Sequence, residues 1–175
     1  IHYHDGKHPL PVFFREFAVI RGGKAHIDIL NTLSGLYDMV GWQESGKGTL
    51  GYRVTGLLGD FIYDGKVTFQ GKGPFEVGIT VVEGPFVNLL GPDRATISFT
   101  TNISCRAGVL AEGRVFEDKQ ADTLHMIEVT GLTPDTEYEY SLRGVAEPLA
   151  YSFRTAPTPG SRTAFAFAYA SDSRS

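Results

Sequence analysis

Along most of the chain, apolar and polar positions alternate at period two rather than recurring at helical spacing, and glycine or proline interrupts nearly every apolar run. From about Gly84 onward the pattern becomes regular. Phe86 to Leu90 predicts a first strand and Gly91-Pro92-Asp93 a turn. In the second strand, Ala95 to Thr100, the apolar Ala95, Ile97 and Phe99 alternate with Thr96, Ser98 and Thr100, so one face is apolar. Further strands are predicted over Ala107 to Ala111, Thr123 to Val129, Glu137 to Leu142 and Tyr151 to Thr155. Strands at such intervals predict an antiparallel β-sandwich over residues 84–157, with Ile97, Phe99, Leu132, Tyr138 and Phe153 in its core.

Residues 1–83 read as a separate β-rich segment. Phe13 to Ile20, the Arg21-Gly22-Gly23 break and Ala25 to Leu30 predict a hairpin, because paired glycines accept the positive φ of a tight turn. Phe61 to Phe69 predicts a second hairpin around Asp64-Gly65. Asn31 to Trp42 suits either a short helix capped by Asn31 or Thr32, or a loop followed by a strand. Residues 158–175 read as a linker and one more strand, the apolar run Ala164 to Ala170, of the kind buried in parallel sheets.

Composition narrows the class. With 175 residues, 42% hydrophobic and 21% charged, the chain holds one sizeable folded domain or two small ones. The 21 glycines, 9 prolines and 12% aromatic residues suit an all-β protein of short strands and tight turns. A net charge of -4 with scattered Lys and Arg supplies no field to concentrate nucleic acid. Cys105 is alone, so no internal disulfide forms and the redox compartment stays open. No apolar stretch approaches the ~20 residues of a membrane-spanning helix. The start Ile1-His2-Tyr3-His4 has neither a Met nor a signal-peptide core, so the chain is expected to begin processed or trimmed.

The most specific local motif is Gly131-Leu132-Thr133-Pro134-Asp135-Thr136-Glu137-Tyr138-Glu139-Tyr140, which resembles the fibronectin type III pattern Leu-x-Pro-x-Thr-x-Tyr. There Leu132 plugs the end of the core, Pro134 stiffens the crossing between sheets, and Tyr138 buries its ring while its hydroxyl bonds to nearby backbone. Phe99 stands where such domains usually carry a core Trp. A wider frame joins Gly84-Pro85-Phe86-Val87, Ala95 to Phe99, His125, Gly131 to Pro134 and Tyr151-Ser152-Phe153-Arg154-Thr155-Ala156-Pro157. Together these resemble the N-terminal domain of purple acid phosphatases. In that family a short Pro/Gly link leads to the first strand of a calcineurin-like metallophosphoesterase domain, which ends in a metal-binding aspartate. The matching segment is Pro157-Thr158-Pro159-Gly160, Ala164 to Ala170, then Ser171-Asp172-Ser173-Arg174.

The resemblance implies that Asp172, at the C-terminal end of a predicted strand where ligands of α/β sheets collect, binds metal. It implies a parent enzyme that hydrolyses phosphate esters with two metal ions, iron paired with iron, zinc or manganese. An extracellular or periplasmic location is implied too, with a homo-oligomer possible. The family's later Gly-Asn-His and Gly-His-x-His motifs do not occur in this sequence, so the chain alone is expected to be inactive and its parent to continue. The alternative is a stand-alone adhesion or carbohydrate-binding sandwich in which Asp172 is incidental.

Other chemistry-bearing residues carry less. Gly59-Asp60-Phe61-Ile62-Tyr63 matches the family's Gly-Asp-x-x-Tyr motif but precedes the sandwich instead of following the first metal-binding Asp, so Asp60 and Tyr63 read as a strand entering the Asp64-Gly65 turn. His2, His4, Asp5 and His8 suit zinc or copper by identity, yet stand at a terminus with nothing local to hold them. His26 and His125 alternate with apolar strand residues and read as structural. Asn102-Ile103-Ser104 satisfies the glycosylation sequon in an expected turn.

Overall fold

A computed structural model of the protein describes residues 2–3, 16–32, 41–71, 74–146, 149–164 and 166. Two short helices and eleven strands are assigned among them. The N-terminal part comprises β1 (His2–Tyr3), α1 (Ile29–Thr32), α2 (Trp42–Ser45), β2 (Lys47–Thr55), β3 (Phe61–Gln70) and β4 (Glu76–Val77). Its strands form one antiparallel sheet in the order β1-β2-β3-β4.

This part corrects three expectations. Glu16 to Ile20 and Ala25 to Asp28 lie in no strand, and the glycine break makes only a tight turn closed by an Arg21–Lys24 bridge. Asn31 and Thr32 lie inside a described helical turn, Ile29–Thr32, instead of capping a helix that follows, and the Asp28 carboxylate accepts from the Asn31 N–H at 3.1 Å; residues 33–40, where the choice between helix and loop falls, lie outside the described residues. Third, β3 runs straight through Asp64-Gly65, and the chain reverses instead over Gly56–Asp60, where the Gly56 N–H donates to Asp60 O at 2.8 Å. Gly65 faces Tyr52 across the ladder, and a side chain there would strike the Tyr52 and Tyr63 rings. Close packing, not a turn, requires that glycine.

Seven strands follow: β5 (Val81–Asn88), β6 (Arg94–Cys105), β7 (Gly108–Ala111), β8 (Arg114–Glu117), β9 (Asp122–Thr130), β10 (Glu137–Arg143) and β11 (Ala150–Arg154). They make two antiparallel sheets, β5-β6-β9 and β11-β10-β7-β8. Three strands against four, with successive strands shared between the layers, is a fibronectin-III-like sandwich. The alternation of side chains makes the core: on β10 Tyr138, Tyr140 and Leu142 are buried while Glu137, Glu139 and Arg143 are exposed. Ile97, Phe99, Leu132, Tyr138 and Phe153 all lie in that core, joined by Val109, Ile127 and Val129.

The Leu132 to Tyr140 motif behaves as its chemistry predicts. The Tyr138 hydroxyl accepts a 2.7 Å hydrogen bond from the Thr133 N–H, which fixes the loop crossing between sheets. Thr155 locks the same corner from the other side, donating to Thr133 O at 2.6 Å and accepting from the Thr136 N–H at 2.9 Å. Within the sandwich, the strand that the sequence pattern does not predict is β8; in the N-terminal part β1, β2 and β4 are likewise unpredicted. β8 pairs with β7 through a two-residue turn, Glu112-Gly113, both with positive φ (50° and 70°), as hairpins of this length require.

The two parts are tied by hydrogen bonds at residues 78–80. Gly78 N–H donates to Thr68 O at 2.7 Å, and the buried Thr80 hydroxyl accepts from the Thr68 N–H at 2.9 Å. Ala164 and Ala166 stand in no strand; the rest of the Ala164–Ala170 run, from Phe165 on, lies outside the described residues apart from Ala166.

Candidate functional site

Asp172, the one residue with a sequence-based metal role, lies outside the described residues, as do His4, Asp5 and His8; His2 is described only as backbone of β1. Among the described residues no three His, Cys, Asp or Glu side chains converge in a way that could hold a metal ion. Asp60 and Tyr63 sit at and just beyond the β2–β3 turn, both exposed. His26 is exposed and outside any strand, so the structural role expected for it does not hold.

His125 does have a structural role, in a buried polar cluster of the sandwich. The β9 alternation turns His125, Ile127 and Val129 inward, and register places His125 opposite Phe99, whose ring stacks on the imidazole at 4.6 Å between centroids. The side chain is wholly buried. Its Nδ1 lies 2.5 Å from Asp118 Oδ2 and its Nε2 2.9 Å from Thr101 Oγ1, with Cys105 Sγ 3.9 Å away. Asp118 follows β8 in one sheet and His125 stands on β9 in the other, so the contact staples the two layers. Asp118 is fixed in turn by its N–H to Ala107 O at 3.0 Å.

Carboxylate, imidazole and hydroxyl in this order resemble the relay of a nucleophilic hydrolase. The surroundings deny it that use. Thr101 is 2% exposed and its hydroxyl donates to Ile103 O at 2.9 Å, so no substrate carbonyl can reach it. The cluster instead satisfies polar groups that the core would otherwise strand. His125 was legible as an inward residue; Asp118 and Thr101 were not, because seven and twenty-four residues of separation carry no motif.

The sequon also changes meaning. Asn102 lies within β6, not in a turn, and its amide is engaged: Oδ1 accepts from the Thr80 N–H at 2.8 Å and Nδ2 donates to Gly78 O at 3.1 Å. A glycan on Nδ2 would compete with the bonds that join the N-terminal sheet to the sandwich. An open cleft of about 430 Å³ lies over β7 and β10, with Glu112, Glu137 and Glu139 in its wall. Tyr138 and Tyr140 also line it, but both are buried. Burial and the neighbouring Tyr151 push the Tyr140 phenol up to about 12.

No protein-family model matches the chain, and no curated protein matches it in sequence. Among solved structures, the chain is similar to the central fibronectin-III array of RIM-binding protein, at 16% identity and a TM-score of 0.39. That match covers 66% of this chain and 46% of the other, so the chain corresponds to less than half the length of that structure. Among the described residues no helix is long and apolar enough to cross a membrane.

Proposed function

We propose that the chain is the N-terminal, non-catalytic portion of a purple-acid-phosphatase-like metallophosphoesterase, its sandwich preceding a catalytic domain that hydrolyses phosphate esters. The observation that carries this reading is the order of segments at the C-terminal side. Tyr151 to Pro157 closes the sandwich, Thr158-Pro159-Gly160 follows, and then come Ala164 to Ala170 and Ser171-Asp172-Ser173. The link is a turn, with Ser161 N–H donating to Thr158 O at 3.0 Å, which suits a chain leaving one layer for another. Asp172 would furnish an oxygen ligand to a centre of iron with iron, zinc or manganese, whose other ligands belong to strands of the catalytic domain.

The fold supports a scaffolding role, since its corners are locked by Tyr138 and Thr155 and its buried relay is sealed. The competing reading, an adhesion or carbohydrate-binding module, would use the cleft over β10. Sugar sites typically offer an exposed aromatic ring for stacking, and the two tyrosines of this cleft are buried.

Two measurements test the proposal. The natural coding sequence should continue past Ser175 into Gly-Asp, Gly-Asn-His and Gly-His-x-His motifs; a stop codon there would favour the module reading. In the longer protein, Asp172→Ala should lower bound metal together with aryl-phosphate turnover. Unchanged metal content would remove Asp172 from the ligand set. The 175-residue chain alone should show no metal-dependent phosphatase activity.

A further inference from the structure

The β2–β3 hairpin outgrows the sheet that supports it. Among the described residues, β1 pairs with β2 only at Leu50 and Gly51, and β4 pairs with β3 only at Phe69 and Gln70. From Tyr52 to Tyr63 the described strands therefore form a two-stranded ribbon, a form that is marginal in water unless its side chains brace it. Here they do. Arg53 grips Asp64 across the ladder with two hydrogen bonds of 2.7 and 2.6 Å and lies over the Phe61 ring at 5.5 Å. On the other face Tyr52 packs against Tyr63 at 5.9 Å between centroids.

What this braced ribbon presents is apolar. Leu57 and Leu58 at the turn are 103% and 97% exposed, and Phe61, Ile62 and Tyr63 are exposed behind them. Arg53 and Asp64 are paired, and between them Asp60 is the one charged residue; its carboxylate folds against Gly56. Along the ribbon the order is thus leucine tip, Phe and Ile, tyrosine, then a neutralised ion pair. This order follows the depth of a bilayer leaflet, from hydrocarbon through the aromatic-rich interface to the headgroups. At the strand rise of about 3.3 Å per residue, Arg53 stands about 13 Å behind Leu57. Surface-bound elements bury their apolar side about 5–10 Å deep, which would leave the pair among the headgroups.

We propose that this ribbon is a membrane-contacting arm, its Gly56–Ile62 tip entering the surface layer of a lipid bilayer without spanning it. Two features favour lipid over a protein partner. Apolar and aromatic side chains stand on both faces of the ribbon, Phe61 with Arg53 and Tyr63 with Tyr52, so a flat partner would cover only half of them. The tip also falls far short of the roughly 20–30 residues per side that stable protein interfaces use. The paired charges suit zwitterionic lipid of no net charge.

The test is flotation of the 175-residue chain with phosphatidylcholine vesicles. The chain should float with the vesicles, with little dependence on salt. A Leu57→Asp/Leu58→Asp double variant should lose about tenfold or more of the bound fraction, since charge at the tip opposes entry. Asp60→Asn should raise it. Both leucines point into solvent, so unchanged circular dichroism will separate lost binding from lost folding. Absence of flotation, or flotation unaffected by the double variant, overturns the proposal. So does light scattering showing that the lipid-free chain self-associates through the same leucines, which would make the tip a contact between copies.

Discussion

The N-terminal sheet and the sandwich are made of the same material, short antiparallel strands broken by glycine, yet they bury it to different extents. The sandwich lays two apolar faces on each other and encloses fifteen residues in one core, from Val81 to Phe153. Among the described residues, no second sheet lies over the N-terminal sheet. Its core is Trp42, Leu50 and Phe69, completed by the Phe75 ring at 4.9 Å from Trp42 and 5.1 Å from Phe69. Even this needs a glycine, because a side chain at Gly48 would occupy the space of the Phe69 ring. The difference teaches that alternation specifies a strand, while a second layer decides whether its apolar side is covered.

The largest expected effect compares one substitution in both regions. Leu132→Ala should lower sandwich stability by about 2–5 kcal/mol, read from the urea midpoint. Leu50→Ala should fall near the lower end, about 2–3 kcal/mol, because a thin cluster can collapse around the gap. It should also melt the N-terminal sheet ahead of the sandwich. A single coincident transition in both variants would break the comparison. Next in size, Tyr138→Phe leaves the Thr133 N–H without its acceptor and should cost about 1–3 kcal/mol. Tyr52→Phe, on the ribbon, should cost under about 0.5 kcal/mol.

Titration sharpens the contrast, with smaller effects. Tyr140 ionises at about 12 in the fold against an ordinary 10.0. Its contribution is therefore complete below pH 10 and lost as pH rises toward 12, and phenolate absorbance should place its ionisation well after that of the exposed tyrosines. At the ribbon the sign reverses. The hydrogen bonds from Arg53 hold the Asp64 carboxyl below its usual range. Its contribution is present above the ordinary carboxylate range and fades as pH falls through the lowered value. The pair is solvent-exposed, so the smallest effect is expected here: lower amide protection factors, relative to the intrinsic exchange rate at each pH, in β2 and β3 at acid pH, with those of the sandwich unchanged.

Where local pattern and burial agree, the sequence was legible. The alternation of β9 and β10, the Leu132 plug and the Tyr138 hydroxyl all follow from residue order, and the five expected core residues are all in the core. β8 escaped because it has four residues with only Phe116 partly buried, and its Glu-Gly turn lacks the Asn-Gly or Asp-Gly signal. The Asp64-Gly65 pair gave that signal where no turn exists, since a glycine demanded by a neighbouring ring looks the same as one demanded by φ.

By itself, then, the amino-acid order determined the all-β class, the sandwich strands with strong alternation, and the corner held by Tyr138, because these depend on contacts a few residues apart or on the period of a strand. Only the tertiary structure decided which polar groups meet. Asp118 with His125 and Thr101, and Asn102 with Gly78 and Thr80, are brought together by how the chain returns on itself, and no local pattern encodes that return. The exposed tip at Leu57 and Leu58 belongs to the same category. Hydrophobicity marks a residue as suited to burial, and whether anything arrives to bury it is settled by the layers around it.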